Sequence, residues 1–430
     1  LYASSIIGGP TNSIYSIDNA MKWGFGWKLG PFELWDAIGF RYIYDRLVHE
    51  GASIPEWLIN MNKNGFSKFY TDDRLSIYSI EKEKYTPIKY SNKNISFRIS
   101  KNNNHILSSH WSASLIDLGD QVAGMELHSV LKPELNPIDG SIIEMIYKSI
   151  DIVKNKGFRA LVISGDNENF SAGANLNIIL RSAFYKDWDN IEIFTDQMQT
   201  ILQALRFAPF PVVAAPYGLV LGGGFELIGA CDKVVASSES YIGLVEVGVG
   251  LIPGAGGNLR MISNISKKIK TMMPGAFPIV QKAFETIGFA KIAKSAEQAK
   301  HYGYLKEDDC IVINRSHLLY QAKKKAIEMS DNYIVPNYES FKLPGQSGRL
   351  VLDQSIKGFL KSKKISEHDA LIAKKLGYVL TGGDKGGPFS PVDEQYLLDI
   401  EREAFISLCG EQKSIERIQY MLAKGKPLRN

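Results

Sequence analysis

Two glutamates lie 20 residues apart in glycine-rich segments, and both could exchange protons with a bound ligand. Glu226 stands in Leu-Gly-Gly-Gly-Phe-Glu-Leu (221–227), and Glu246 in Gly-Leu-Val-Glu-Val-Gly-Val-Gly-Leu-Ile-Pro-Gly-Ala-Gly-Gly (243–257). A carboxylate that is desolvated, or close to a second carboxylate, has a raised pKa, as a general acid at neutral pH requires. This pair could therefore perform acid–base chemistry on a single substrate.

The glycines 222–224 follow a predicted strand at 211–215 and precede a predicted helical segment at 225–231. Glycine at such a turn lets a ligand approach the backbone closely, and free N–H groups at a helix N-terminus favour negative charge. Gly223 and Glu226 are three residues apart, so they share one side of the first turn. Taken alone, the segment fits the plainer interpretation that Glu226 complements the helix dipole and the glycines allow tight packing.

A second candidate donor lies in Phe-Ser-Ala-Gly-Ala-Asn (170–175), just after a predicted strand. Gly173 permits an irregular turn that could direct the N–H of Ala174 into a cleft. By itself this segment is only a turn. Glu246, among Val245, Val247 and Val249, could likewise be a solvent-facing residue on an edge.

The elements that would position these residues alternate between strand and helix. A hairpin is predicted from 114–117 and 122–127, a helix at 140–156, a buried strand at 160–165, a helix at 190–207 and a second buried strand at 211–215. This alternation indicates a layered α/β core with parallel strands joined by crossovers. Residues 1–60, and the chain beyond about 292, have mainly helical patterns, whereas 85–104 is a polar linker candidate.

Composition excludes several classes of protein. The 430 residues suffice for two or three domains, and 45% hydrophobic and 22% charged residues are ordinary for a globular chain. A net charge of +4 is too small to indicate nucleic-acid binding. The chain has no run of 18 apolar residues, so we expect no membrane span. Three distant cysteines disfavour a disulfide framework or a zinc site and favour a cytoplasmic location.

In combination, these motifs resemble the active-site frame of the enoyl-CoA hydratase (crotonase) family over roughly 113–310. The resemblance extends through Pro-Val-Val-Ala-Ala (211–215) and Gly-Leu-Val-Leu-Gly-Gly-Gly-Phe-Glu (218–226) to Cys231 and Asp232. It implies that Glu226 and Glu246 hold a water molecule and exchange its protons. It also implies that the N–H groups of Ala174 and Gly223 hold the thioester oxygen. Further contacts with the CoA substrate would come from Ala172, Gly173, Gly222, Gly224 and Pro253.

Two positions depart from the family's usual pattern. The family has Asp after the oxyanion alanine and often Lys two residues later, where this chain has Asn175 and Asn177. We expect the first change to leave the N–H donor intact and the second to remove a charge that contacts CoA.

The two ends of the chain carry a second resemblance. Ala-Met-Lys-Trp-Gly-Phe-Gly-Trp-Lys-Leu-Gly-Pro-Phe-Glu-Leu-Trp-Asp (20–36) looks like the helical C-terminal domain of 3-hydroxyacyl-CoA dehydrogenases. The tail segments 391–396 and 425–430 resemble the end of fused dehydrogenase–hydratase proteins of fatty-acid oxidation. The glycines of 24–30 and 248–254 come close to a dinucleotide-binding fingerprint, but the spacing before the last glycine is wrong in both. The resemblance thus implies the C-terminal part of a fusion whose NAD-binding domain lies upstream of Leu1, together with a homo-oligomer and a thiolase partner.

The predicted fold is α/β, with a crotonase-like ββα spiral core, an all-helical N-terminal domain and a helical C-terminal extension. The predicted boundaries are 1–84, a linker at 85–112, the hydratase core at 113–310 and the C-terminal region at 311–430. We expect no metal and no cofactor beyond the CoA thioester. An enoyl-CoA isomerase, which needs only one carboxylate, and a non-catalytic CoA-binding or assembly module stay open as alternatives.

Overall fold

The computed structural model describes residues 1–89, 91–102, 105–269 and 276–430, and it divides into two compact units, 1–92 and 93–430. Asn103 and Asn104 of the predicted linker, and residues 270–275 of the predicted hydratase core, lie outside the described residues. Within the described ranges, no helix has both the length and the apolar content needed to cross a membrane.

The first unit is a helical bundle that carries one β-hairpin. Its aromatic core includes Phe32, Trp35, Phe40 and Phe69, whose rings meet edge to face or stacked. The hairpin pairs Ser76 with Pro87 in antiparallel register, so the prediction of an all-helical domain is wrong at this point. The elements are α1 (Tyr2–Ser5), α2 (Ile14–Phe25), α3 (Pro31–Ile38), α4 (Phe40–His49), α5 (Glu56–Lys63), β1 (Ser76–Ser79) and β2 (Lys84–Pro87).

Two glycines of the near-miss fingerprint in this unit are helix caps. Gly26 ends α2 in the left-handed conformation with φ 67°, and Gly30 precedes Pro31 at the start of α3. A Cβ on Gly30 would lie 2.3 Å from the Cβ of Asp18, so the glycine allows α2 and α3 to approach closely. No strand leads into either glycine among the described residues of this unit, as a dinucleotide-binding loop would require.

The second unit is built on a seven-stranded mixed sheet with the order β11-β9-β7-β6-β5-β4-β3. Its elements are α6 (Phe97–Asn102), β3 (Ile106–Ser109), β4 (Ala113–Asp117), β5 (Val122–Leu127), α7 (Gly140–Asn155), β6 (Ala160–Ser164), α8 (Leu176–Phe184), α9 (Trp188–Arg206), β7 (Val212–Ala214), β8 (Leu219–Leu221), α10 (Gly223–Gly229), β9 (Lys233–Ser237), β10 (Tyr241–Gly243), a 3-10 helix (Glu246–Val249), α11 (Gly257–Ile269), α12 (Phe277–Gly288), α13 (Ala296–Tyr302), β11 (Cys310–Val312), a second 3-10 helix (Arg315–His317), α14 (Leu318–Ser330), β12 (Ser340–Phe341), α15 (Gly345–Lys361), α16 (Glu367–Leu380), β13 (Val392–Asp393), α17 (Glu394–Cys409) and α18 (Gln412–Lys424).

The sheet confirms the predicted alternation of strands and helices. β4 and β5 form the antiparallel hairpin, and β5, β6, β7 and β9 run parallel, joined by crossovers that include α7 and α9. Every residue of β5 and β6 is buried, as expected for strands covered on both faces. α7 packs on β4 and β5, while α14 packs on β6, β7 and β9. The side chain of Asp139 caps α7 by accepting from the N–H groups of Ser141 and Ile142.

The predicted linker at 85–112 does not match the structure. Lys84–Pro87 belongs to the hairpin of the first unit, and the division between the units falls at 92/93. Phe97–Asn102 is helical, and Ile106–Ser109 is an edge strand of the main sheet. The sheet also continues past residue 310 through β11, so 311–430 is not a separate helical region.

Candidate active site

Helix α10 begins in a tight turn that brings two segments of the chain together. Gly222 has φ 52° and donates its N–H to the carbonyl of Gly243 at 2.9 Å. The carbonyl of Gly222 then accepts from the N–H groups of Phe225 and Glu226, which starts the helix. A Cβ on Gly222 would lie 2.9 Å from Oε1 of Glu246, so glycine leaves room for that carboxylate beside the helix N-terminus.

The two predicted N–H donors lie next to each other. A Cβ on Gly223 would be 3.2 Å from the nitrogen of Ala174, and a Cβ on Gly173 would be 3.3 Å from the nitrogen of Gly223. Within the described ranges, neither the Ala174 nor the Gly223 N–H donates a hydrogen bond to the protein. Two adjacent donors without an acceptor can both donate hydrogen bonds to one oxygen atom of a ligand.

Glu226 is a buried carboxylate held by a loop. Its Oε1 accepts from the N–H of Ala255 at 2.7 Å and from the N–H of Gly257 at 3.0 Å. Burial raises the pKa of Glu226, while the hydrogen bonds from Ala255 and Gly257 oppose that rise. The same bonds fix the orientation of the carboxylate.

Glu246 lies at the start of a 3-10 helix and is only partly buried. Its Oε2 has no hydrogen-bond partner among the described residues. Burial, and after it the negative charge of Glu226, raises the pKa of Glu246 well above its ordinary value. Glu226 thus has two N–H donors that favour its ionised form, whereas Oε2 of Glu246 has none among the described residues.

A third buried carboxylate, Glu401 of α17, was missed in the sequence. It is 1% exposed and accepts from the N–H of Gly256 at 2.5 Å and from the N–H of Asn258 at 3.0 Å. The available signal was its place on the apolar stripe of α17, four residues after Leu397 and four before Phe405. A charged residue on a buried stripe needs a partner, but the sequence does not identify that partner.

The two candidate N–H donors, Ala174 and Gly223, and the two carboxylates Glu226 and Glu246 line one cavity of about 660 Å³, whereas Glu401 does not. Seven of the nine predicted site residues line it: Ala172, Gly173, Ala174, Gly222, Gly223, Glu226 and Glu246. The C-terminal helices add Phe405, Met421 and Leu422 to its wall, which the sequence did not predict.

Gly224 and Pro253 are not among the residues that line the cavity. A Cβ on Gly224 would lie 2.7 Å from the carbonyl oxygen of Ser171, which gives that glycine a packing role. Pro253 is buried beside Gly257, where a Cβ would lie 2.7 Å from the proline Cβ.

The departures at Asn175 and Asn177 have different consequences. Asn175 caps α8 by accepting from the N–H of Asn177 at 3.1 Å, a role that Asn and Asp share. Asn177 lines the cavity without bringing a charge. No group of three His, Cys, Asp or Glu that could hold a metal occurs in the described part of the chain.

Comparison with known proteins shows which family and which relatives the chain resembles. Residues 119–283 match the model of the family described as enoyl-CoA hydratase/isomerase. A Bacillus subtilis protein provisionally named 3-hydroxyacyl-CoA dehydrogenase is 42% identical over 100% of this chain and 53% of its own length. A Rickettsia prowazekii protein provisionally named fatty acid oxidation complex trifunctional enzyme is 25% identical over 97% of this chain and 51% of its own.

The chain spans about half the length of these two relatives. Among solved structures, an enoyl-CoA hydratase from Bacillus halodurans aligns with a TM-score of 0.48 and 16% identity, over 72% of this chain and 99% of that one. Residues 119–283 thus form a crotonase-type domain, within a chain homologous to proteins named as 3-hydroxyacyl-CoA dehydrogenase and as trifunctional enzyme.

Proposed function

We propose that the second unit is an enoyl-CoA hydratase, which adds water across the trans-2 double bond of an enoyl-CoA thioester. One observation carries the proposal: two carboxylates, and two backbone N–H groups without an acceptor among the described residues, line the same cavity. Water addition needs both a base and an acid, as well as a stabilised enolate.

In the proposed reaction, the ionised Glu226 accepts a proton from water as the oxygen attacks C3 of the enoyl chain. Electron density moves through the double bond to the thioester oxygen, which becomes an enolate. That oxygen accepts hydrogen bonds from the N–H groups of Ala174 and Gly223. The protonated Glu246 then delivers its proton to C2, which gives the 3-hydroxyacyl thioester.

An enoyl-CoA isomerase is the main alternative. Isomerisation moves one proton between C2 and C4 and needs a single carboxylate. Two carboxylates at the cavity, Glu226 and Glu246, favour hydration. A non-catalytic CoA-binding module would need no carboxylate facing its ligand at all.

The relatives favour a wider role for the whole protein. The name of the Rickettsia relative places that protein in a fatty acid oxidation complex. We propose that this chain is part of a multifunctional protein of fatty-acid β-oxidation, in which a dehydrogenase oxidises the 3-hydroxyacyl-CoA that hydration produces. We also propose that the protein forms a homo-oligomer. A thiolase partner would accept the product of that oxidation.

Mixing the chain with crotonyl-CoA tests the activity. Hydration removes the conjugated double bond, so the absorbance of the enoyl thioester should fall at a rate proportional to protein concentration. A 3-enoyl-CoA in the parallel assay separates the alternatives, because an isomerase would create conjugation and raise the absorbance. No change with either substrate would contradict the proposal.

A further inference from the structure

The loop 254–258, whose last two residues begin α11, lies between two buried carboxylates. Its N–H groups alternate: those of Ala255 and Gly257 donate to Glu226, and those of Gly256 and Asn258 donate to Glu401. Four successive donors are therefore satisfied by two acids from helices distant in sequence. Gly256 has φ 105°, a conformation that favours glycine, and this allows the alternation.

The helix that carries Glu401 is fixed to the same loop by other contacts. The side-chain amide of Gln199, from α9, donates to the carbonyls of Gly254 at 2.8 Å and Leu398 at 3.0 Å. A Cβ on Gly254 would lie 2.8 Å from the ring of Phe405, so the loop and α17 are in close contact. These contacts hold Glu401 against one side of the loop, while the hydrogen bonds from Ala255 and Gly257 hold Glu226 against the other side.

We infer that Glu401 is a positioning residue for catalysis, which holds the loop 254–258 in the conformation that orients Glu226. The inference rests on the proposed function, since it assigns Glu226 a part in the reaction. Glu401 itself is not among the residues that line the cavity, so its effect on the substrate is transmitted through the loop.

The charge of Glu401 adds a second, electrostatic link. Burial, and after it the charge of Glu226, raises the pKa of Glu401 to about 8. Glu401 interacts electrostatically with Glu226, Glu246 and Arg260 on neighbouring elements. Gln199 of α9 is neutral. Above about pH 8 Glu401 is ionised and its negative charge raises the pKa of Glu246, so neutral variants of Glu401 should lower the pKa of Glu246.

Three variants of the full chain test the inference with crotonyl-CoA as substrate. Glu401→Ala leaves two buried N–H groups without an acceptor, so we expect kcat to fall by roughly 10–100-fold, the size that small misplacements produce, with KM changed less than threefold. Glu401→Gln keeps one acceptor oxygen, so its kcat should lie between the kcat of wild type and the kcat of Glu401→Ala. Glu403→Gln, an exposed residue of the same helix, is the matched control.

The pH profile of kcat separates positioning from a merely structural role. We expect the alkaline limb to move to lower pH in Glu401→Gln and to stay in place in Glu403→Gln. A kcat of Glu401→Ala within twofold of wild type, or an unchanged alkaline limb in Glu401→Gln, would overturn the inference while leaving the proposed function intact. An inactive wild-type chain would instead contradict the proposed function. If Glu401→Ala does not fold, as judged by circular dichroism, the Gln variant decides.

Discussion

At the residue scale, the account depends on Glu226 and Glu246. Replacing either with Gln keeps the side-chain size but removes the acid–base group. We expect each variant to lose roughly 10²–10⁴-fold in hydration rate. Binding of a saturated acyl-CoA, measured by calorimetry, should be nearly unchanged.

The exposed Glu239→Gln is a suitable control, since it lies at the surface of the same unit. Near-wild-type turnover in Glu226→Gln or Glu246→Gln would remove that residue from its assigned role.

The proposed role of the Gly223 N–H as an oxyanion donor gives a second prediction at this scale. Gly223→Pro removes one N–H at the first residue of α10, where proline fits the helix. We expect a loss of at least roughly 10²–10³-fold in kcat, the value of one such donor, because the added Cβ would also lie 3.2 Å from the nitrogen of the second donor, Ala174. Gly140→Pro is the control for proline at a helix start, because Gly140 is also the first residue of a helix and an added Cβ there would meet nothing within 4 Å. A fully active Gly223→Pro would show that the thioester oxygen is held elsewhere.

At the scale of elements, the buried Asp18 and the partly buried Asp36 link the stability of the first unit to pH. Asp18 accepts from the Phe32 N–H at 2.8 Å and from the Tyr70 hydroxyl at 2.6 Å, and burial raises its pKa to about 6. Burial also raises the pKa of Asp36 to about 6. The folded state therefore binds these protons more tightly than the unfolded state. The resulting stability is fully present below pH 3.8 and is lost as the pH rises through about 6.

Asp18→Asn should remove the contribution of Asp18 to this pH dependence of stability and leave that of Asp36. A shift of about two pKa units corresponds to up to ~3 kcal/mol of unfolding free energy for one group, so the variant should lose less stability than wild type between pH 4 and 7. Urea unfolding followed by tryptophan fluorescence measures this, with the exposed Asp45→Asn as control. The same pH slope in Asp18→Asn and wild type would contradict the assignment.

The sequence predicted the regular elements around the site better than it predicted their borders. Apolar periodicity identified α7, and short buried runs identified β6 and β7. The edge strand β3 was missed because Ile106–Ser109 is short and only partly buried. It also follows a polar segment, and it lacks the alternation of apolar and polar residues that predicts a strand. Composition alone made that segment a linker, while pairing with β4 decides its structure.

The candidate site was predictable where one local motif carried each residue. Glycines around Glu226, Glu246 and Ala174 indicated close approach, and the structure places all three at one cavity. Glu401 was not predictable in this way, because it meets Gly256 across 145 residues of sequence. Contacts of that separation depend on how helices pack, and no local pattern encodes them.

At the scale of the whole molecule, we expect this chain to show no dehydrogenase activity. Hydride transfer needs a bound nicotinamide, held by a strand, a glycine loop and a helix. In the described part of the first unit the only strands are β1 and β2, which form an antiparallel hairpin. Titration with NADH, followed by its fluorescence, should give no saturable signal, and 3-hydroxyacyl-CoA should not reduce NAD. Tight NADH binding by the purified chain would show that the first unit has been misinterpreted.

The central claim, that this chain adds water to an enoyl thioester, is tested most directly with labelled solvent. The chain is incubated with crotonyl-CoA in water enriched in oxygen-18, and the acyl products are analysed by mass spectrometry. The account predicts a 3-hydroxyacyl-CoA that carries one oxygen-18 at C3, formed by wild type and lost in Glu226→Gln and Glu246→Gln. Recovery of unlabelled substrate alone, or of an enoyl-CoA with a displaced double bond and no label, would contradict it.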